Sequence, residues 1–118
     1  VEHVLKYRLP IDNYDTILYT GLHYVGRDAL LISSADAVVS IGGRMGTLHE
    51  FTIAMETRTP IGFLQGAGGI SEEIQTILSI VPDVHKELVV FDNDADSLIE
   101  KLTKLLDHLN KEYRRIYN

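Results

Sequence analysis

Short apolar runs alternate along the chain with longer segments in which apolar residues recur every three or four positions. The short runs predict four strands, at residues 16–20, 37–41, 60–64 and 88–91. The longer segments predict four helices, at residues 26–35, 47–58, 71–81 and 94–115. Regular alternation of strands with helices is typical of parallel β/α units. We therefore predict an α/β fold with a mostly parallel sheet of about four strands.

The composition is that of one globular domain covering residues 1–118. Hydrophobic residues make up 45% of the chain and charged residues 24%, so a core can form without metals or disulfides. The net charge of −6 disfavours the broad phosphate-contacting surface of a nucleic-acid-binding protein, but it leaves a small nucleotide as a ligand. The chain has no cysteine, and no apolar stretch reaches the roughly 20 residues that a membrane helix needs. We expect a cytoplasmic protein that binds neither nucleic acid nor membranes.

A glycine-rich turn joins the predicted strand at 37–41 to the predicted helix at 47–58. Glycines permit positive φ angles and let backbone N–H groups approach an anion closely. The first turn of the following helix adds unpaired donors and a partial positive charge. The turn therefore predicts a phosphate-binding site formed by five residues: Gly42, Gly43, Arg44, Gly46 and Thr47.

Two roles stay open for each charged side chain near this turn. Thr47 and Glu50 have the spacing of a capping box, so Glu50 either caps the helix or serves a ligand. As a cap it would lie where the helix dipole favours its ionised form, which suits binding of a sugar hydroxyl. Arg27 lies on the same carboxyl edge of the sheet, and its alternative is a surface ion pair with an acid such as Asp28. Arg44 either pairs with the phosphate or is an exposed loop residue.

From Gly26 to about Leu106 the chain resembles the LOG-type Rossmann-like family of the SLOG superfamily, which is often labelled lysine decarboxylase-like. The family signature, Pro-Gly-Gly-x-Gly-Thr-x-x-Glu, falls without gaps on residues 42–50, and the family's conserved Arg, 23 positions before the Glu, falls on Arg27. The resemblance implies a Rossmann-like three-layer sandwich with a site for a nucleoside 5'-monophosphate. In that site the glycine turn holds the phosphate, Arg27 and Glu50 act at the ribose, and the N-glycosidic bond is hydrolysed.

Several positions depart from the family pattern. Gly42 stands where the family has Pro, Arg44 where it has its second Gly, and Asp28 where it has a Lys. These departures favour a related branch with a differently built active-site lip. The family's N-terminal β/α unit is also missing, and the chain begins at Val1 without an initiator Met. We expect either that this unit was lost or that the chain is an incomplete copy.

A second glycine cluster, at residues 66–69, also lies between a predicted strand and a predicted helix. Glu72 and Glu73 in the first turn of that helix would repel an anion, so we favour a connecting loop over a second phosphate loop or a lid. The histidines show no spacing that places two of them on one helix face. We therefore predict neither a metal site nor another cofactor.

Three functions stay open from the sequence. The first is an enzyme that hydrolyses a purine nucleoside 5'-monophosphate to the free base and ribose 5-phosphate. The second is a non-catalytic module that binds or senses a nucleotide, and the third is a structural or interaction domain in which the turn only caps a helix. A short sheet leaves an edge or an apolar helix face uncovered, so we also expect a homodimer or a larger homo-oligomer.

Overall fold

The computed structural model describes residues 2–82 and 84–117. Within these residues the chain forms five α-helices and three strands, which follow one another as α1 Glu2–Tyr7, α2 His23–Ser33, β1 Val38–Ile41, α3 Met45–Glu56, β2 Ile61–Leu64, α4 Ile74–Ile80, β3 Val89–Asp92 and α5 Ala95–Tyr117. A 3₁₀ turn precedes α4 and another precedes β3. None of the described helices combines the length and the hydropathy that a membrane crossing requires.

The three strands pair in parallel in the order β1-β2-β3. Ile61 of β2 lies opposite Val38 of β1 and Val89 of β3, and this register continues along the sheet. Parallel strands run in the same direction, so their carboxyl ends meet at one edge of the sheet. The loops that leave β1 and β2, which contain the two glycine clusters, therefore lie next to each other.

Helices cover both faces of the sheet, which confirms the predicted α/β sandwich. On one face, Phe63 packs its ring 5.7 Å from Phe51 of α3 and 5.8 Å from Phe91, measured between ring centroids. On the other face, Gly62 lies against α5, where a Cβ on this glycine would be 3.0 Å from Leu98. Gly62 thus allows α5 to pack closely on the centre of the sheet.

The predicted strand at residues 16–20 is wrong, because these residues form an irregular segment. The segment is largely exposed, with Leu18 82% exposed, and it pairs with no strand in the described part of the chain. A strand needs a neighbouring backbone to satisfy its N–H and C=O groups, whereas a short apolar run can also occur in irregular structure. The sheet therefore has three described strands instead of about four.

Candidate functional site

The first glycine turn leaves the carboxyl end of β1 with two residues in the left-handed region. The φ angles are +67° at Gly42 and +97° at Gly43. A Cβ on Gly43 would also overlap the side chain of Thr47. Any larger residue at position 43 would therefore be strained by its own backbone and by its neighbour.

The second glycine loop supports this turn. The Ser71 hydroxyl donates a buried hydrogen bond of 2.6 Å to the Gly42 carbonyl, and the Ile70 N–H donates one of 3.0 Å to the Gly43 carbonyl. A Cβ on Gly69 would overlap the backbone of Gly43. The two loops are thus in direct backbone contact, and the geometry of one depends on the other.

Two amides of the second loop are already bound to a carboxylate. The N–H groups of Gly66 and Gly68 donate hydrogen bonds of 2.7 Å and 3.2 Å to one carboxylate oxygen of Glu72. These donors are already occupied by a negative charge, which would repel an incoming phosphate. The preference for a connecting loop over a second phosphate loop agrees with this geometry.

Helix α3 begins with an open end. Its N-cap residue is Arg44, no side chain caps the helix, and its first turn has no acidic residue. The first backbone bond of the helix runs from the Leu48 N–H to the Arg44 carbonyl, at 3.1 Å. The N–H groups of residues 45–47 therefore have no acceptor within the helix. They form a set of donors at the positive end of the helix dipole.

The capping-box interpretation of Thr47 and Glu50 is wrong. Because α3 starts at Met45, Thr47 is its third residue and Glu50 its sixth, and neither holds a capping position. Sequence spacing could not show this, because Gly46 is as compatible with a turn as with the first turn of a helix. The side chain of Glu50 therefore does not cap α3.

The Glu50 carboxyl lies in a partly buried, charged environment. Burial raises the pKa of Glu50, the negative charge of Asp28 raises it further, and the charges of Arg27 and His49 oppose this increase. The expectation that Glu50, as a cap, is held in its ionised form does not apply, because Glu50 is not at the cap of α3 and burial raises its pKa. Among the described residues no hydrogen bond holds this carboxyl. It is thus available to a ligand.

A cleft of about 420 Å³ opens at this edge of the sheet. Seven residues line it: Tyr24, Arg27, Asp28, Arg44, Gly46, Thr47 and Glu50. Five of the seven predicted site residues are therefore brought together in one cleft. The other two, Gly42 and Gly43, are not part of its lining, and their carbonyl groups bind the second loop instead.

Arg27 forms no ion pair with an acid in the described part of the chain, so its alternative role in a surface ion pair is not observed there. Its guanidinium group lies over the ring of Tyr24, 4.7 Å from the ring centroid. Asp28 pairs instead with His49, whose Nδ1 lies 3.0 Å from the Asp28 carboxylate. Arg27 thus borders the cleft with its charge stacked on an aromatic face, a favourable cation–π arrangement.

The Asp28–His49 pair is the feature of the site that sequence reasoning missed. Asp28 is only 4% exposed, and it shares the buried side of α2 with Ile32, one helical turn later. A charged residue in register with a buried apolar one is a signal that could have been read from the sequence. Its partner could not, because His49 is 21 positions away and on another helix.

A larger cavity, of about 730 Å³, lies at the opposite edge of the sheet. Its lining includes Thr59 and Pro60 just before β2, Leu88 just before β3, and the second half of α5. Ligands of parallel α/β sheets bind at the carboxyl ends of the strands, not at the amino ends. The smaller cleft, with its convergent charges and open helix end, is therefore the candidate site.

Comparison with known proteins agrees with this fold. The profile of the SLOG cluster4 family matches residues 5–103. Among solved structures, the X-ray structure of TM1055, target VT76 of the Northeast Structural Genomics Consortium, is 27% identical with a TM-score of 0.60. The match covers 79% of this chain and 58% of that chain, so this chain spans less than two thirds of that protein. No curated protein matches significantly. The profile covers most of the chain, which therefore belongs to the SLOG cluster4 family of nucleotide-related Rossmann-like proteins.

Proposed function

We propose that the cleft binds a nucleoside 5'-monophosphate and hydrolyses its N-glycosidic bond, which releases the base and ribose 5-phosphate. The observation that carries this proposal is the position of Arg27 and Glu50 in the same cleft as the uncapped start of α3. Backbone N–H donors without an acceptor in the helix and a carboxyl group with a raised pKa thus line one cleft. Perturbed carboxyl groups in clefts are characteristic of active sites.

The phosphate binds at the start of α3. The N–H groups of residues 45–47 and the positive end of the helix dipole suit a phosphate group. Arg44, which is exposed beside them, adds a guanidinium group that can pair with two phosphate oxygens. It supplies donors at the position where the LOG signature has a second glycine.

Glu50 then lies near the sugar carbon that reacts. In the hydrolysis the bond between C1' and the base nitrogen breaks, a bond from C1' to a water oxygen forms, and the base nitrogen gains a proton. A carboxylate with a raised pKa is a stronger base, so ionised Glu50 can accept a proton from the attacking water. Its charge also stabilises the positive charge that develops on the sugar, while Arg27 holds the phosphate-bearing end in place.

The test is chromatographic detection of adenine released from AMP by the wild-type chain and by Glu50→Gln, a substitution of nearly equal size. Release that is abolished in Glu50→Gln supports the enzyme. Arg44→Gln is the companion variant, and it should weaken AMP binding without removing the reacting carboxyl. Binding of AMP without release by the wild type would contradict the hydrolase.

A non-catalytic nucleotide-binding module is the second candidate, and the shape of the cleft favours it. The lining residues are Arg44 and residues of α2 and of the first two turns of α3, so β2, β3 and the loops that follow them do not line the cleft. Hydrolases of this kind exclude bulk water from the reacting sugar. In a cleft lined only by α2, Arg44 and the start of α3, the sugar remains accessible to bulk water. This candidate predicts AMP binding with equal affinity in wild type and Glu50→Gln and no adenine release.

We also propose that the chain associates with a second copy of itself. Its accessible surface is 8788 Å², whereas a compact monomer of 13.3 kDa exposes roughly 6,500 Å². Its radius of gyration is 15.8 Å, against about 13.5 Å for a compact domain of this length. Apolar side chains on the edge strand β1, Val39 at 41% and Ile41 at 66% exposure, contribute to this excess. The excess exceeds the ~800 Å² per partner that a specific interface buries.

A further inference from the structure

Asp28 is fixed in an unusual position for a carboxylate. It is 4% exposed and lines the cleft, and His49 Nδ1 donates to its Oδ2 at 3.0 Å. A carboxylate only accepts hydrogen bonds, so Nδ1 of His49 carries the hydrogen of this bond. The bond ties α2 to α3 beside Glu50, which responds electrostatically to both partners. One of the two Asp28 oxygens is thus committed to holding the side chain in place.

The other oxygen, Oδ1, remains available. It has no hydrogen-bond partner among the described residues. Yet no side-chain oxygen or nitrogen in the described part of the chain is both sealed from solvent and unpaired. Oδ1 therefore retains some exposure to solvent, and Asp28 is one of the residues that line the cleft. The site thus presents a fixed acceptor with an unused lone pair.

We propose that Asp28 accepts a hydrogen bond from a ribose hydroxyl and so makes the cleft selective for ribonucleotides over deoxyribonucleotides, with His49 as the positioning residue. This inference rests on the proposed nucleotide site. A phosphate at the start of α3 is separated from its sugar by one methylene group, so an acceptor in the same small cleft meets the sugar before it meets the base. A hydroxyl is a donor that carries no charge, and it pairs with a carboxylate without the repulsion that a second phosphate would suffer.

The experiment compares the affinities of AMP, 2'-deoxy-AMP, 3'-deoxy-AMP and inorganic phosphate by isothermal titration calorimetry. The variants are Asp28→Asn, which keeps the size but adds a donor, and Asp107→Asn, the same exchange at an exposed position on α5. We expect wild type and Asp107→Asn to bind AMP at least about tenfold tighter than one deoxy analogue. In Asp28→Asn this ratio should fall to about one, while phosphate binding stays unchanged.

His49 supplies a second, independent variant. His49→Ala removes the bond that holds Asp28 and should reduce the AMP to deoxy-AMP ratio, whereas His49→Gln retains an N–H donor and should restore part of it. A general loss of stability would weaken the binding of all four ligands equally and would not change the ratio of AMP to deoxy-AMP affinity.

Two results would overturn the inference. An unchanged ratio in Asp28→Asn, with AMP still hydrolysed by the wild type, would reject the role of Asp28 and leave the proposed function intact. Failure of the wild type to bind any of the four probes would reject both the role of Asp28 and the proposed function. Retained selectivity without hydrolysis would reject only the hydrolase and would support the role of Asp28.

Discussion

Replacement of Gly69 by alanine tests whether the second glycine loop holds the turn beside the cleft. Gly68 provides the control, because both residues have positive φ angles, +68° at Gly69 and +77° at Gly68, and Gly68 with its ψ of −169° lies in a region that is essentially restricted to glycine. Alanine therefore costs about 1–3 kcal/mol of backbone strain at either position. The surroundings differ, since a Cβ on Gly69 would overlap the Gly43 backbone, whereas one on Gly68 would meet no atom within 4 Å.

The additional cost at Gly69 follows from the contacts that must break. To accommodate the new methyl group the loop has to move away from the turn, which breaks the hydrogen bond from Ile70 to Gly43 and the buried one from Ser71. The first is worth about 1 kcal/mol, and the second about 1–3 kcal/mol because it leaves a buried carbonyl unsatisfied. We expect Gly69→Ala to lower the free energy of unfolding by about 3–7 kcal/mol and Gly68→Ala by about 1–3 kcal/mol, so the two variants should differ by about 2–4 kcal/mol.

Urea unfolding of the two variants measures the difference in their free energies of unfolding. Melting temperatures with and without AMP measure whether each substitution disturbs the candidate site. Gly68→Ala should retain the increase in melting temperature that AMP produces, whereas Gly69→Ala should lose most of it. Equal destabilisation of the two variants, with AMP stabilising both, would refute the reasoning. It would mean that the turn keeps its geometry without support from the second loop.

Three further predictions concern charge and assembly. The pKa of Glu50 in the folded protein is raised above its usual value of 4.5. Ionisation of this carboxyl therefore lowers the stability of the fold as the pH rises from 4.5 through the raised pKa. Glu50→Gln should therefore melt at a higher temperature than wild type at pH 7 and lose this advantage below pH 4.5; equal melting temperatures at pH 7 would contradict this. Arg44→Gln should weaken phosphate binding about tenfold in calorimetry while stability changes by less than about 0.5 kcal/mol; unchanged affinity would reject its phosphate contact. Light scattering should give at least twice 13.3 kDa for wild type and less for Ile41→Glu, and a wild-type mass of 13.3 kDa would reject self-association.

Three strands could be predicted from the sequence because each is an apolar run followed by a chain reversal. The runs at 37–41, 60–64 and 88–91 agree with β1, β2 and β3 to within one residue. The run at 16–20 has a similar composition but no neighbouring strand in the described structure, and composition carries no information about pairing. Four of the five described helices were predicted from apolar residues that recur every three or four positions, although α2 begins at His23 and not at residue 26. Helix α1, Glu2–Tyr7, was not predicted.

The site could be predicted only as far as chain topology determines it. Residues 44–50 follow β1, so sheet topology alone places Glu50 at the carboxyl edge. Arg27 follows no described strand, and its place in the cleft could be predicted only from the 23-position spacing to Glu50 that the LOG resemblance supplied. The start of α3 differs by two residues from the prediction, and this difference removes Glu50 from a capping role. The pair between Asp28 and His49 depends on how α2 packs on α3, which no local pattern in the sequence specifies.

The charges of the cleft determine how an anion must be bound there. Arg27 and Arg44 are offset by Asp28 and Glu50, and the chain as a whole carries a net charge of −6, so long-range attraction for a nucleotide is weak. Affinity must then come from donors at short range, namely the N–H groups at the start of α3 and the guanidinium group of Arg44. Interactions at contact distance are screened by salt far less than a diffuse field. The affinity for AMP should therefore change little between low and physiological salt, unlike that of a site that recruits phosphate through a basic surface.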